Sequence, residues 1–570
     1  MMRIVKRMSL LVTAAALLAL GAVYPAARAG AAEAKPVAVV SFAGYDALKK
    51  DLGFIGEISG TPELAQAAEG MLAIVTRFQG LAGLEKGKPI GAAVFLSEEK
   101  KPSGYVFIPV ADLDKLLDVL QDFVIDVEDE GEGYSSFKLK NGPQLTMRET
   151  KGWVYISMSK ELLADVAADP ATLLGDLPKR YDLAVQINIG NVPENLIEEA
   201  VAQMRAGAEQ QLRRNAGRDE KAQAIAEAFT ETTLESITQA IKDLQSYTLG
   251  IAVDSETRSA YFDVQVDMKD GSKLAKQLNS AVDDAKPTTF PGLADAARMF
   301  NLHFNSPINA DDAKMLTKLI DDGRKPLEEN LENEIPNEDE RAVIKKALNT
   351  VIDVTKGTLE GGLINGGAVV TGDGPFSVVA GLHVSDGKKL EAMAKDLLKY
   401  AAERNNDFPE VKFDAETKSG ITYHTLQIPE IPNEEEAENF EKFFGSDEVS
   451  VGVGFGAKTV VLAIGAKPID TADDVVNGKP AKLPPKTMPL QMQLKVGPVM
   501  KLAAEQAGDK EPILKEIAGS LEESDKGHIN LNLTLLKNGE RMRFEIEEGV
   551  IAAFGKGVKA AMNKASRGGR

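Results

Sequence analysis

Along this chain, short runs of alternating apolar and polar residues end in Gly- or Asn-rich turns. Four pairs of such runs lead directly into segments with apolar residues at helical spacing. These units, each a β-hairpin followed by an amphipathic helix, span Gly91–Asp122, Ser246–Leu278, Leu363–Leu398 and His528–Val558. In the first, Gly91–Leu96 and Tyr105–Val110 flank the polar turn Ser97–Ser103. Asp112 then stands where a helix cap is needed, with Leu113, Leu116, Leu117 and Leu120 on one face. In the third, Gly367–Thr371 and Phe376–Val384 turn at Gly372-Asp373-Gly374-Pro375, and Ser385 or Asp386 caps a helix to Tyr400. The fourth turns at Asn538-Gly539, two residues that both tolerate positive φ. Its Asn530, Asn532, Thr534 and Leu536 alternate with Ile529, Leu531, Leu533 and Leu535, which predicts a sheet with one wet face.

The remaining segments repeat in the same order. Pro36–Phe42 and Arg298–Phe304 read as strands, each followed by helical stretches. Trp153–Ser157 corresponds to Thr459–Ile464, and Asp182–Ile189 to Leu490–Val496. The first and third units lie about as far apart as the second and fourth. The expected fold class is therefore α+β: two similar lobes from an internal duplication, with antiparallel hairpin sheets and amphipathic helices packed on one face. The lobes are expected over residues 36–286 and 291–570, with the boundary near Lys286–Pro291. Pro429–Glu438 and Pro480–Pro489 read as loops.

The N-terminus has a different character. Arg3, Lys6 and Arg7 precede the apolar run Leu10–Leu20, and Ala27-Arg28-Ala29 fits a signal-peptidase site. Residues 1–29 are read as a cleaved secretory leader, and the mature protein as exported, periplasmic or extracellular. No later run is long and apolar enough to span a bilayer. The chain has no cysteine, which excludes a lipoprotein anchor, disulfides, thiol nucleophiles and cysteine-based metal sites. Removing the leader leaves 62 basic against 86 acidic residues, a net charge near −24. Such a charge disfavours nucleic acid and anionic membranes as partners.

Each chemical motif gives way to a structural reading. Gly357–Gly374 and Gly452-Val453-Gly454-Phe455-Gly456 lead into strand-like runs, so they are hairpin glycines and not phosphate loops. The acidic run Asp126–Glu132 resembles a calcium loop until its twelfth position, which is Phe137 and not Glu, and reads as a solvated hairpin tip. The four histidines, His303, His383, His424 and His528, have no metal-binding spacing. His383 and Asp386 form the closest local pair, and Asp386 is needed as a helix cap. The sole tryptophan, Trp153, starts a strand and is assigned to the core. Lys556, Lys559, Lys564, Arg567 and Arg570 make the C-terminal stretch basic. No catalytic, cofactor or metal residue is assigned.

The stretch Gly87-Lys88-Pro89-Ile90-Gly91, the run Gly104–Val110 and the strand and helix Val39–Ile58 carry a family resemblance. The chain resembles the large secreted proteins of unknown function typical of planctomycete-type bacteria. That resemblance implies export and an α+β repeat, and it supplies no catalytic residues. The expected function is an exported, non-enzymatic binding or scaffold protein of the periplasm or cell envelope. One alternative is a carrier of an apolar or lipid-like ligand in an inter-lobe groove; another is a hydrolase assembled from distant Asp, Glu, Ser or His residues. The expected partner is accordingly an envelope protein or an apolar small molecule.

Overall fold

The alternating runs become twenty strands. Those of the first half are β1 (Ala38–Phe42), β2 (Ile90–Leu96), β3 (Pro102–Pro109), β4 (Val124–Gly131), β5 (Tyr134–Leu139), β6 (Gln144–Thr150), β7 (Trp153–Ser157), β8 (Leu183–Ile187), β9 (Leu244–Asp254) and β10 (Ser259–Met268). The second half has β11 (Phe300–Pro307), β12 (Leu363–Thr371), β13 (Ser377–His383), β14 (Val411–Lys418), β15 (Ile421–Gln427), β16 (Ser450–Phe455), β17 (Thr459–Gly465), β18 (Leu490–Lys495), β19 (His528–Leu536) and β20 (Gly539–Glu547). The structure is a computed structural model. It describes residues 35–567 except 97–101, 141, 216–229, 231–233, 295–297, 373–374, 406–407, 429–432, 447, 481–482, 509–510 and 523. The expected leader, parts of the turns after Leu96 and Thr371 and parts of both Pro-rich loops lie outside the described residues.

All twenty strands join one antiparallel sheet. The first ten run in the order β4-β5-β6-β7-β3-β2-β1-β8-β9-β10. The second ten run β14-β15-β16-β17-β13-β12-β11-β18-β19-β20, the same order strand for strand. The halves meet where β10 pairs with β20 from Ser259↔Glu547 to Asp267↔Gly539. A backbone ladder therefore closes the line along which a groove between lobes is expected.

The four hairpin–helix units fold as the pattern predicts. Asp112, Ser272 and Asp386 each accept a hydrogen bond from the backbone N–H three residues on, which satisfies an otherwise orphaned helix donor. All four helices pack on the same face of the sheet. Leu116 of Leu113–Leu120 lies with Met147 and Val154, and Leu274 of Lys273–Asp283 with Leu533 and Leu535. Glu391 of Gly387–Arg404 meets His424, and Val550 of Glu548–Arg567 packs with Ile529 and Ile546.

The opposite face has its own cover of short segments. In the first half Phe107, Trp153 and Tyr155 are buried beneath Leu162–Leu177, with Trp153 edge-on to Phe107 at 5.9 Å. In the second, Val369, Val379 and Val461 lie beneath Phe290, Leu293 and the helix Pro468–Val476. Between these two cores the covered face becomes polar yet stays dry: Thr248, Asp263, Gln265, Asn301, His303 and Asn365 are buried there. The single wet face expected for β19 is not seen: Asn530 on one face and Leu535 on the other are buried, and Leu531, Asn532, Leu533 and Thr534 are half-buried. Several polar side chains of this face bond one another and the chain above them. Asn365 Nδ2 donates to Asn305 Oδ1 at 2.9 Å, Asn305 Nδ2 to the Lys286 carbonyl at 2.7 Å, and Gln186 Nε2 to Thr248 Oγ1 at 3.1 Å.

The turn at Asn538 also differs from expectation. Leu536 pairs with Gly539, so the two-residue loop is Lys537-Asn538, and Asn538 alone has φ 57°. Gly539 is instead required by close packing, since a Cβ there would lie 2.5 Å from the Val266 carbonyl oxygen of β10.

At the middle of the seam, Asp263 is 0% exposed and faces Arg543 across the β10–β20 ladder. Arg543 Nε and Nη2 donate to the two Asp263 oxygens, each at 2.8 Å, and the Tyr181 hydroxyl donates to Oδ2 at 3.0 Å. Tyr181 fits because β9 places Gly250 under its ring, where a Cβ would come within 2.4 Å. Burial is the largest single influence and opposes the Arg543 charge, but the hydrogen bond and charge of Asp263 together with the nearby Tyr261 and Glu545 raise the guanidinium above its ordinary value. Removing one partner strands a buried charge. Asp263→Ala is expected to cost about 3–5 kcal/mol, read by urea unfolding. Asp263→Leu combined with Arg543→Met is expected to recover most of that loss; additive losses would show that the pair is not the unit of stability.

Candidate functional site: an open apolar face

The face that carries the four helices is not closed by them. The helix Lys273–Asp283 sits over the turn end of the β19–β20 hairpin, near Leu533 and Leu535. The helix Glu548–Arg567 sits over its open end, near Ile529 and Ile546. Between them the sheet floor remains open. One cross-strand row can be followed by register: Ile90, Phe42, Leu183, Ile251, Phe262, Phe544, Leu531, Met492, Leu302, Ala368, Ala380 and Leu462. These twelve positions are all apolar, cross twelve strands, and include no buried residue. Ile251 is 51% exposed, and Phe262, Met542 and Phe544 are 39–40% exposed. A contiguous apolar surface of this kind is uncommon on soluble proteins, which makes this face the candidate site.

The floor runs into a cleft of about 740 Å³ beside the helix Lys273–Asp283. Met268, Leu274, Leu278, Leu490, Leu533 and Leu535 supply its apolar walls. Its charged groups are Asp284, Lys286, Asp312 and Glu540. Glu540 lies on the apolar face of β20, in line with Met542, Phe544 and Ile546, and burial raises its pKa. A signal for it was present in the sequence: Glu540 breaks an otherwise apolar alternation through Ile546.

Two titratable clusters lie elsewhere. Glu391, Asp414 and His424 bring potential ligand atoms within 4.8 Å of one another. Lys395 Nζ already bridges the two carboxylates, 3.0 Å from Glu391 and 2.7 Å from Asp414, supplying the positive charge that a metal would bring. His424 Nδ1 accepts the Asp414 backbone N–H at 2.9 Å, which places the neutral ring's proton on Nε2. That nitrogen faces Glu391 Oε1 at 3.5 Å as a donor, so it offers no lone pair to a metal. Burial, followed by the Lys395 charge, lowers the His424 pKa and keeps the ring neutral. These residues fit an ion-pair cluster tying Gly387–Arg404 to the β14–β15 hairpin better than a metal centre.

The other histidines are dispersed. His303 Nε2 is 2.9 Å from Thr288 Oγ1, and burial lowers its pKa to about 4. His528 Nδ1 is 2.8 Å from Glu547, and His383 pairs with Thr459 across the β13–β17 ladder. Asp386 is a helix cap, as expected, and does not partner His383. The acidic run is an edge strand and not only a hairpin tip: Val124–Gly131 forms β4, with two register shifts against β5. The Gly452–Gly456 run lies in and just after β16, where Gly454 makes room for the Tyr423 ring.

The second cluster is a carboxyl pair. Asp51, from the helix Tyr45–Ile58, meets Asp182 just before β8. Burial, followed by the neighbouring Asp182 carboxyl, pushes Asp51 up to about 7. Burial also raises Asp182, even though that residue accepts the Val253 N–H at 2.7 Å.

No protein-family model matches this chain, and no curated protein or solved structure matches it.

The carboxyl pair has a signed consequence. The folded state holds the Asp51 proton more tightly than the unfolded chain does. Its contribution is therefore complete below about pH 4 and is lost as pH rises towards 7. Asp51→Asn is expected to gain stability relative to the parent protein between pH 5 and pH 8, measured by urea unfolding at both values. A constant difference across that range would rule out a shared proton.

Proposed function

We propose that this chain is an exported, non-enzymatic binding protein that carries an apolar or lipid-like ligand along the open face of its sheet. The observation that carries this reading is the twelve-strand apolar row without one buried member. Leaving so much apolar surface half-open forgoes about 25 cal/mol for every Å² still in contact with water, and a bound apolar ligand would recover it. The adjoining cleft of about 740 Å³ favours a small ligand over a protein partner. Small-molecule sites typically enclose about 300–1,000 Å³ and are largely apolar with a few polar groups.

Export rests on the leader pattern of residues 1–29 and on the family resemblance. Among the described residues, no helix is long and apolar enough to cross a membrane. The identical strand order in the two halves supports reading them as copies of one unit. A hydrolase is less well supported, since the two titratable clusters stand apart from the residues lining the cleft.

Native mass spectrometry of mature protein from its own envelope is expected to show an extra mass that organic extraction removes. The double variant Phe262→Asp, Phe544→Asp is expected to weaken binding of the apolar fluorophore N-phenyl-1-naphthylamine at least tenfold. Phe262 faces Phe544 directly across the β10–β20 ladder, so the two aspartates repel and lower the unfolding midpoint. The single variant Phe544→Asp, which lacks that repulsion, is expected to weaken fluorophore binding in the same direction. A clean mass together with no fluorophore binding would transfer the reading to protein–protein scaffolding.

A further inference from the structure

The proposed carrier reading leaves the chemistry of the ligand's polar end open, and the cleft is specific on that point. β20 presents Glu540, Met542, Phe544 and Ile546 to the open face, so a carboxyl group stands at a position where the strand otherwise places apolar residues. Its cross-strand neighbours are Val266 on β10 and Leu535 on β19. Among the described residues, no hydrogen bond or ion pair reaches the carboxyl, and burial alone perturbs it. Lys286 lines the same cleft without pairing to it.

The other acids of the cleft have local roles. Asp284 accepts the Ser280 hydroxyl at 2.8 Å, and Asp312 accepts the Asn309 amide at 2.6 Å. The cleft therefore holds three carboxyls against one ammonium, and only Glu540 is uncommitted. Burying a carboxylate without a partner is costly, and a cation placed beside it removes that cost. The apolar walls require a ligand with a hydrocarbon body, and the charge balance requires a positive end.

Resting on the carrier reading, we infer that the cleft takes an amphiphile with a hydrocarbon chain and a protonated amine, the amine seated on the Glu540 carboxylate. The chain then lies along Leu533, Met542 and Phe544 on the open floor. Binding forms no covalent bond, and a salt-bridged hydrogen bond replaces the hydration of both charges.

Three probes with the same chain length test this on the mature protein at pH 8: dodecylamine, dodecanol and dodecanoate, each displacing N-phenyl-1-naphthylamine. Dodecylamine is expected to act at a concentration about tenfold or more below dodecanol, a margin set by one charge-assisted hydrogen bond. Dodecanoate is expected to be weakest. Because an acidic protein attracts cationic amphiphiles generally, the decisive comparison is Glu540→Gln, which should abolish the amine's advantage and leave dodecanol unchanged. Glu540→Leu, which replaces a half-buried carboxyl on an otherwise apolar face, should behave likewise with an unfolding midpoint at or above the parent's, so a loss of binding there is not a loss of fold. Equal displacement by amine and alcohol, or an amine advantage that survives in both variants, overturns the head-group assignment alone. If neither the fluorophore nor any of the three probes binds, the carrier reading beneath it fails as well.

Discussion

The Asp263–Arg543 pair is the interaction on which the rest of the sheet depends. It sits on the middle rung of the only ladder that joins the two halves among the described residues, and the nine rungs run symmetrically to either side of it. Because the two halves repeat one strand order, these residues occupy matching positions in matching strands. Two identical halves would place like charges opposite each other on that rung, a destabilising arrangement across a strand pair. Aspartate in one half and arginine in the other turn the same geometry into a bidentate bond. Tyr181 then secures the aspartate from above, while Arg543 lies 3.6 Å over the Tyr261 ring. The seam is strong because the halves differ there.

That buried pair also explains why the sheet has its polar side inward. Once a charged pair is fixed in the middle of one face, neighbouring residues on that face are best satisfied by further hydrogen bonds. Thr248, Gln265, Asn301, His303 and Asn365 continue the network outward from the seam. Each polar group is worth burying only if it is bonded, so the network holds the covering segments around Arg180 and Lys286–Leu293 in place. The apolar side chains on the other face are left as floor. Four helices pack against that floor, yet the two beside the central hairpin cover its ends and leave its middle accessible. The open apolar surface is what the helices leave uncovered, and the position of Glu540 at one end gives that floor a polarity.

Much of the local structure was legible from residue patterns. The four hairpin–helix units, the caps at Asp112 and Asp386 and the core position of Trp153 all follow from short-range rules of spacing, hydrogen-bond supply and side-chain size. Other features depended on partners distant in sequence. Gly539 suggested a turn glycine, and its actual constraint is the carbonyl of Val266, more than two hundred residues earlier. Asp51 and Asp182 are individually unremarkable acids, and only the approach of a helix to the start of β8 makes them share an environment. The acidic run at Asp126–Glu132 was recognisable as solvated, whereas its incorporation as an edge strand required β5 beside it.

For this protein the sequence by itself determined the elements, their order and the fact that every central strand has one polar and one apolar face. Alternation with period two dictates that much, because neighbouring side chains point to opposite sides of a strand. Alternation does not say which face will meet water. Tertiary structure decided that, by closing the β10–β20 seam over a buried ion pair, sealing the polar face with short segments and leaving the apolar face partly open. The physical reason is that burial is a property of what packs against a surface, and the packing partners here come from the far end of the chain.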